Sequence, residues 1–365
     1  MSDHTNPPDP RRRAVHTLVA CDTALREAYD VAMLDLDGVV YRGEDAVDHA
    51  ADALAEAADA GMRLAYVTNN ASRTPSDVVA KLRGLAMPTD DDSVVTSAQA
   101  AGRLVADAVP RGSRVLVVGG AGLVEALQEH GLVPVSSAED APAAVVQGFS
   151  PELDWAQLAE GAYAAASGIP WIVSNMDGSI PTARGMAPGN GTLVAAVATA
   201  SGRVPEVAGK PYAPLFDETV LRVGGEHPLV VGDRLDTDIE GANNVGGDSL
   251  LVFTGVCDLD TVVAATAYAR PTFLAPDLRG LALLQRAVTV DGLEAARCGG
   301  SAVLWHEGRL VVDGSAAPED AQAAVDLLRA AVALAWHHRD EVGGETFDRL
   351  DVSDVRDALG QWGVR

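Results

Sequence analysis

The chain has 365 residues, 48% of them hydrophobic, which is enough for two or three domains with sizeable cores. Its 27 Lys and Arg against 52 Asp and Glu give a net charge of −25, which excludes a nucleic-acid binder because such proteins need a basic footprint. Cys21, Cys257 and Cys298 are odd in number and in no Cys-x-x-Cys spacing, so a reduced, cytoplasmic protein without disulfides or a zinc site is expected, and no apolar run is long enough for membrane insertion.

Residues 1–16 are Pro- and Arg-rich and read as a disordered tail, followed by a helix over 17–28. The run Arg11–Arg13 before an apolar stretch looks faintly like a targeting signal, but His16 and Thr17 interrupt a stretch that is already short. Val31 to Leu34 predicts a buried strand, which ends in Asp35-Leu36-Asp37-Gly38. Aspartate is disfavoured in strands, and two carboxylates one residue apart repel unless a cation lies between them. Period-two alternation turns both to one side, a donor set suited to a hard ion such as Mg²⁺.

An Ala-rich helix over 45–60 is expected next, with Gly61 as its stop. A second buried strand, 63–67, leads to Thr68-Asn69-Asn70. Strand, helix, strand is the signature of a parallel sheet, and such sheets place their sites at the carboxyl ends of the strands. Thr68 and Asn69 also suit a helix N-cap, so both readings stay open from the residues alone. Strands at 114–118, 144–147 and 171–174 and helices at 123–130 and 155–166 make a second α/β segment. Gly119 to Gly122 reads as a strand-to-helix turn, since the Gly-x-Gly-x-x-Gly spacing is missing.

Residues 188–191 read as a return to the first domain, and a helix over 192–201 leads to Gly209-Lys210-Pro211. A lone Lys is ordinarily a solvated surface residue, but glycine and proline on either side fix this one's backbone. Strand 227–231 then ends in Gly232-Asp233, with Asp238 in the turn that follows. Beyond residue 286 a hairpin over 302–312 turns at His306-Glu307-Gly308, and a helix from Pro318 carries apolar residues at helical spacing. Its neighbours His337 and His338 do not share a helix face and read as terminal residues.

The four stretches Asp35-Leu36-Asp37-Gly38, Thr68-Asn69, Gly209-Lys210-Pro211 and Gly232-Asp233 to Asp238, in this order at strand ends, resemble the haloacid-dehalogenase-like phosphatases, in the NagD and 4-nitrophenylphosphatase-like branch. The resemblance covers roughly residues 31–285. It implies an α/β fold: a Rossmann-like parallel-sheet core (17–102 and 190–285), an inserted α/β C2-type cap (103–189) and a small α+β C-terminal extension (286–365).

It also implies a Mg²⁺-dependent phosphomonoester hydrolase. Asp35 would be the nucleophile and Asp37 the general acid and base. Asp35, Asp37 (by its carbonyl) and Asp233 would hold the metal, with Asp238 orienting them from behind. Gly38, Thr68, Asn69 and Lys210 would bind the phosphate. Chains with such an extension look most like glycerol-3-phosphate phosphatases, the suspected activity being of the glycerol-1-phosphatase type in glycerophospholipid metabolism. Nucleotides, phosphoglycolate and pyridoxal phosphate are the alternative substrates. The extension faintly resembles an acetyltransferase (GNAT) fragment without its pyrophosphate-binding turn, which leaves an acyl-CoA-binding or partner-binding module open. A small phosphomonoester is the expected partner, and a homo-oligomer is left open.

Overall fold

The structure, a computed structural model, describes residues 9, 11–182, 184–314, 317–343 and 350–365. Most of the expected tail, residues 1–8 and 10, lies outside them. Past residue 9 the chain divides into two compact units. One holds Tyr66–Leu82 and Thr89–Gly224, and the other holds Pro10–Ala65, Arg83–Pro88 and Gly225–Arg365.

The second unit is built on parallel strands in the order Phe273–Ala275, Asp248–Val252, Pro228–Gly232 and Val31–Leu34, followed by the first residues of Arg63–Thr68. Val31–Leu34 is buried at every position, as a strand covered on both faces must be. The expected Rossmann-like parallel sheet is therefore present. Two local expectations differ. Gly43, at φ +60°, closes a tight hairpin of Tyr41–Arg42 with Asp45–Ala46, so the helix begins only at Ala50 and runs to Asp59. The helix over 17–28 shrinks to Leu25–Ala28, because Cys21 pairs with Gln285 and holds the preceding segment extended. Residues 11–16, expected to be disordered, are fixed by Arg13 N–H to the Asn243 carbonyl (2.9 Å) and Val15 N–H to the Ala267 carbonyl (2.7 Å).

The extension belongs to this same unit. Strands Val288–Asp291, Ala295–Cys298, Ser301–His306 and Arg309–Val312 form an antiparallel meander, and helix Ala321–Val342 packs on it. The predicted turn at Glu307-Gly308 is present, with both residues at positive φ. One apolar core runs from Leu251, Phe253 and Leu259 of the parallel-sheet half into Leu310, Leu328 and Trp336 of the extension. The extension thus cannot bury its helix without the strands that precede it. Arg329 is fully buried there. It donates to the carbonyls of Arg286 (3.0 Å) and Val19 (2.8 Å) and to Gln285 Oε1 (2.6 Å), which satisfies a charge that burial would otherwise penalise.

The first unit carries a five-stranded parallel sheet ordered Glu206–Val207, Trp171–Val173, Ala144–Gln147, Arg114–Val118 and Val133–Val135. Helix Trp155–Ala166 starts where predicted, because Asp154 and Gln157 form a capping box. Strand Arg63–Thr68 enters this unit at Tyr66 and pairs with Val94–Thr96. Residues 188–191 do not return the chain to the other unit. Helix Asn190–Ser201 stays here, and Glu206–Val207 completes the sheet beside Trp171–Val173. A short hairpin, Ser179–Thr182 with Gly185–Pro188, fills the loop before it. Among the described residues no helix is long and apolar enough to cross a membrane.

Candidate functional site

The parallel-sheet unit gathers its carboxylates where strands end. Val31–Leu34 stops one residue before Asp35, whose N–H still pairs with the Val231 carbonyl at 2.9 Å. The neighbouring strand Pro228–Gly232 stops one residue before Asp233. Parallel pairing of Leu34 with Val231 therefore delivers both aspartates to one rim. Asp238 joins them from Leu235–Ile239, a single π-helical turn in which the Asp238 and Ile239 amides both reach the Arg234 carbonyl at 3.2 Å. The Asp238 carboxylate folds back to accept the Arg234 N–H at 3.2 Å.

Carboxylate oxygens of Asp35, Asp233 and Asp238 all lie within 4.8 Å of one another. Asp233 and Asp238 are buried, and Asp35 is half-buried. At 4.8 Å and an effective dielectric of about 20, each ionised pair repels by roughly 3–4 kcal/mol. A cation removes that cost. A set of oxygen donors alone, without His or Cys, suits a hard ion such as Mg²⁺.

One ligand differs from the expected set: Asp238, expected behind the metal, stands in the cluster itself. The Asp37 carboxylate, expected from period-two alternation to turn to the same side as that of Asp35, is outside the cluster and exposed. The reason is local: the strand ends before Asp35, so period-two alternation no longer governs Asp37. Residues 36–41 instead form a turn in which Val40 and Tyr41 N–H reach the Leu36 carbonyl at 2.9 and 3.1 Å.

Glycine is required at two points of this rim. Gly38 has φ +95°, and a Cβ on it would sit 2.6 Å from Asp233 Oδ2. A Cβ on Gly255 would sit 1.8 Å from the same oxygen. The Gly38 N–H, expected to bind phosphate, donates to the Tyr41 carbonyl at 2.8 Å, so its contribution is this close backbone passage. Loop 254–257 holds Asp233 from the other side. Val256 N–H donates to Asp233 Oδ2 at 2.6 Å, and Cys257 N–H to the Asp233 carbonyl at 3.0 Å. The Thr254 hydroxyl donates to the Gly38 carbonyl at 2.6 Å. Burial, with Asp258 and Asp233 nearby, pushes the Cys257 thiol up to about 12.

The other unit holds the remaining predicted residues. Thr68 closes its strand, and its hydroxyl oxygen accepts the Asn70 N–H at 3.1 Å, which leaves the hydroxyl proton to donate elsewhere. Lys210 is only 4% exposed, unlike an ordinary surface lysine, and its Nζ donates to the Val67 carbonyl at 3.3 Å. The Asn69 side chain turns to the backbone of Lys210. Its Oδ1 accepts the Lys210 N–H at 2.8 Å, and its Nδ2 donates to the Lys210 carbonyl at 3.1 Å.

The amide of Asn69 therefore fixes the peptide of Lys210. Asn175 supports it, donating from Nδ2 to the Asn69 carbonyl at 2.7 Å, and the Ser97 hydroxyl does the same at 2.6 Å. The Asp177 carboxylate accepts from Asn69 Nδ2 at 3.3 Å. Sequence reasoning missed these supports. The only signal for them was the run Asn175-Met176-Asp177-Gly178 after a strand.

Residues 32–133 match a family model described as haloacid dehalogenase-like hydrolase, and residues 207–281 match a HAD-hydrolase-like model. A D-glycerol 3-phosphate phosphatase of Mycobacterium tuberculosis is 38% identical over 346 residues, covering 93% of this chain and 96% of that protein. A 5'-nucleotidase of Bacillus subtilis is 34% identical, covering 63% of this chain and 89% of its own length. The crystal structure of a glycerol phosphate phosphatase from M. tuberculosis in complex with magnesium superposes with a TM-score of 0.79 at 37% identity, over 94% of this chain and all of that one.

Proposed function

The chain belongs to the haloacid dehalogenase-like hydrolase family, and from that premise we propose that it is a phosphatase hydrolysing glycerol 3-phosphate to glycerol and inorganic phosphate. The observation that carries this reading is the carboxylate cluster of Asp35, Asp233 and Asp238, with Asp37 two residues after Asp35. The similarity to a D-glycerol 3-phosphate phosphatase runs through the extension, whereas the 5'-nucleotidase similarity covers 63% of the chain. That difference favours the glycerol ester over a nucleotide; phosphoglycolate and pyridoxal phosphate stay as the other esters to be tested. A reduced, cytoplasmic protein fits its three free thiols.

Asp35, Asp233 and Asp238, with the backbone carbonyl of Asp37, are the groups assigned to hold Mg²⁺, which when bound supplies positive charge against the phosphoryl oxygens. An oxygen of the Asp35 carboxylate attacks phosphorus, and the ester P–O bond breaks. Asp37, protonated, gives its proton to the departing glycerol oxygen. The same group, now ionised, takes a proton from the water that attacks the aspartyl-phosphate. The bond from phosphorus to Asp35 then breaks, releasing phosphate and restoring the free carboxylate. Lys210 is assigned to the phosphoryl charge and Thr68 to a hydroxyl hydrogen bond with it. Asn69 holds the Lys210 peptide in place for that task.

The test is phosphate release from glycerol 3-phosphate, UMP, AMP, phosphoglycolate and pyridoxal phosphate, each with Mg²⁺ and with EDTA. The reading requires Mg²⁺-dependent turnover with glycerol 3-phosphate preferred. Preference for another ester would replace the substrate, and silence across the panel with folded protein would remove the phosphatase.

A further inference from the structure

We propose that Arg365, in the C-terminal extension, is a positioning residue for the metal-binding carboxylate Asp233, so that the extension helps to build the site; this rests on the phosphatase reading above. The contacts all lie within one compact unit. The Arg365 guanidinium donates to the Gly255 carbonyl. That carbonyl and the Val256 N–H are the two ends of one peptide group. The Val256 N–H in turn donates to Asp233 Oδ2 at 2.6 Å.

The arrangement is a two-step relay from guanidinium to peptide to carboxylate. A cation on a carbonyl oxygen draws electron density through the amide and makes its N–H a stronger donor, so the two hydrogen bonds reinforce each other. The relay fixes Asp233 Oδ2 in direction as well as in charge, which matters for an oxygen that must meet a metal.

Four further observations tie the relay to the fold. Arg365 also uses its main chain: its main-chain oxygen accepts the Leu259 N–H at 2.8 Å, so one residue spans both ends of the turn 255–259. Its neighbour Val364 is buried in the same core as Cys257, Leu259 and Phe253, which sets the position from which Arg365 reaches. The loop has no slack, since Gly255 already lies too close to Asp233 Oδ2 to carry a Cβ, and Arg42 donates to the adjacent Thr254 carbonyl. Trp336 Nε1, donating to the Val262 carbonyl at 2.8 Å, ties the extension's long helix to the segment directly after the loop. A small loss of tension at Gly255 is thus passed to Asp233 rather than absorbed.

The test uses the whole chain given by the sequence and four variants, Arg365→Ala, Arg365→Lys, Gly255→Ala and Arg356→Ala. Mg²⁺ alone is titrated by calorimetry, and the Mg²⁺ dependence of glycerol 3-phosphate hydrolysis and the Tm are measured beside it. Arg365→Ala is expected to weaken Mg²⁺ binding roughly 3- to 10-fold, less than the loss of a group touching the ligand itself. At saturating Mg²⁺ its kcat should return to within about 2-fold of the wild type, as expected for a lost positioning contact. Arg365→Lys keeps a cationic donor and should restore most of the affinity.

Arg356 of the same extension pairs at the surface with Asp260 of helix Leu259–Val263, a pair that includes none of Gly255, Val256 and Asp233 of the relay. Arg356→Ala should shift Tm alone. Gly255→Ala, which pushes on Asp233 directly, should weaken Mg²⁺ binding more than Arg365→Ala does. Wild-type Mg²⁺ affinity in Arg365→Ala, with Gly255→Ala impaired, would overturn the relay and leave the phosphatase reading intact. Equal Mg²⁺ losses in Arg365→Ala and Arg356→Ala would also overturn it, by showing a general effect of a loosened extension. Normal Mg²⁺ binding by the wild type without ester hydrolysis would instead sink the phosphatase reading.

Discussion

At the scale of single residues, some side chains at the strand ends serve to hold the backbone of others. Asn69 is the clearest case. Both ends of its amide are engaged by the Lys210 peptide, at 2.8 and 3.1 Å, so its truncation should act through lysine placement. Asn69→Ala is expected to raise KM for the phosphate ester by about 10-fold and to lower stability by about 1–3 kcal/mol, the cost of an amide left without its partner. Steady-state kinetics and urea unfolding check both numbers, and an unchanged KM would assign Asn69 no part in positioning.

Asp35 and Asp233 were legible because a charged residue closing an apolar strand is costly and needs a reason. The Asn69 role was not legible, since its partner lies 141 residues further along the chain. The place of Asp238 was not legible either, because a π-helical turn shifts side-chain direction by an amount that sequence spacing does not reveal.

At the scale of elements, periodicity identified strands and long helices well and short hairpins poorly. Trp155–Ala166 and Ala144–Gln147 stand where their patterns put them. The hairpin at Tyr41–Arg42 and Asp45–Ala46 was hidden inside an Ala-rich helical pattern, because two-residue strands are too short to show alternation. The first two strands of the extension, Val288–Asp291 and Ala295–Cys298, were missed as well.

His338 shows the consequence for a single element. On helix Ala321–Val342 it is buried, stacked on Trp305 with ring centroids 3.5 Å apart, and its Nε2 meets the Leu293 carbonyl. Burial lowers its pKa from the ordinary histidine value; the Leu293 bond opposes the shift, and His337 adds to it. With a folded pKa below the unfolded one, the unfolded chain binds the extra proton, so stability is complete above the unfolded pKa of about 6.5 and falls as pH drops through it. Melting temperature should therefore decline from pH 7.5 to 5.5 in the wild type and decline less in His338→Gln. Parallel curves for the two proteins would remove His338 from the acid response.

At the scale of the whole molecule, sequence reasoning recognised an α/β chain with an insertion and an extension, but it placed the divisions by motif order. The compact units divide instead around Tyr66 and Gly224, and the extension shares a core with the strands before it. Boundaries follow which apolar faces cover one another, and a one-dimensional pattern does not state its partners. That shared core contains both Cys257 and Cys298, whose thiols burial and nearby aspartates push up to about 12 and about 11. Cys21 is half-exposed. A disulfide-exchange reagent at pH 8 should label Cys21 rapidly in the native protein, while Cys257 and Cys298 become reactive together as denaturant opens the core. Separate transitions for Cys257 and Cys298 would show that the extension opens independently of the phosphatase strands.

The proposed chemistry turns on Asp35 being the group that attacks phosphorus. The most direct measurement compares phosphate release from glycerol 3-phosphate, at saturating Mg²⁺, by the wild type and by Asp35→Asn. Circular dichroism and Tm confirm that both are folded. A folded Asp35→Asn protein with turnover reduced by at least about 10³-fold is predicted, because the amide cannot serve as the nucleophile. Turnover within a few-fold of the wild type would remove Asp35 as the nucleophile, whatever the substrate proves to be.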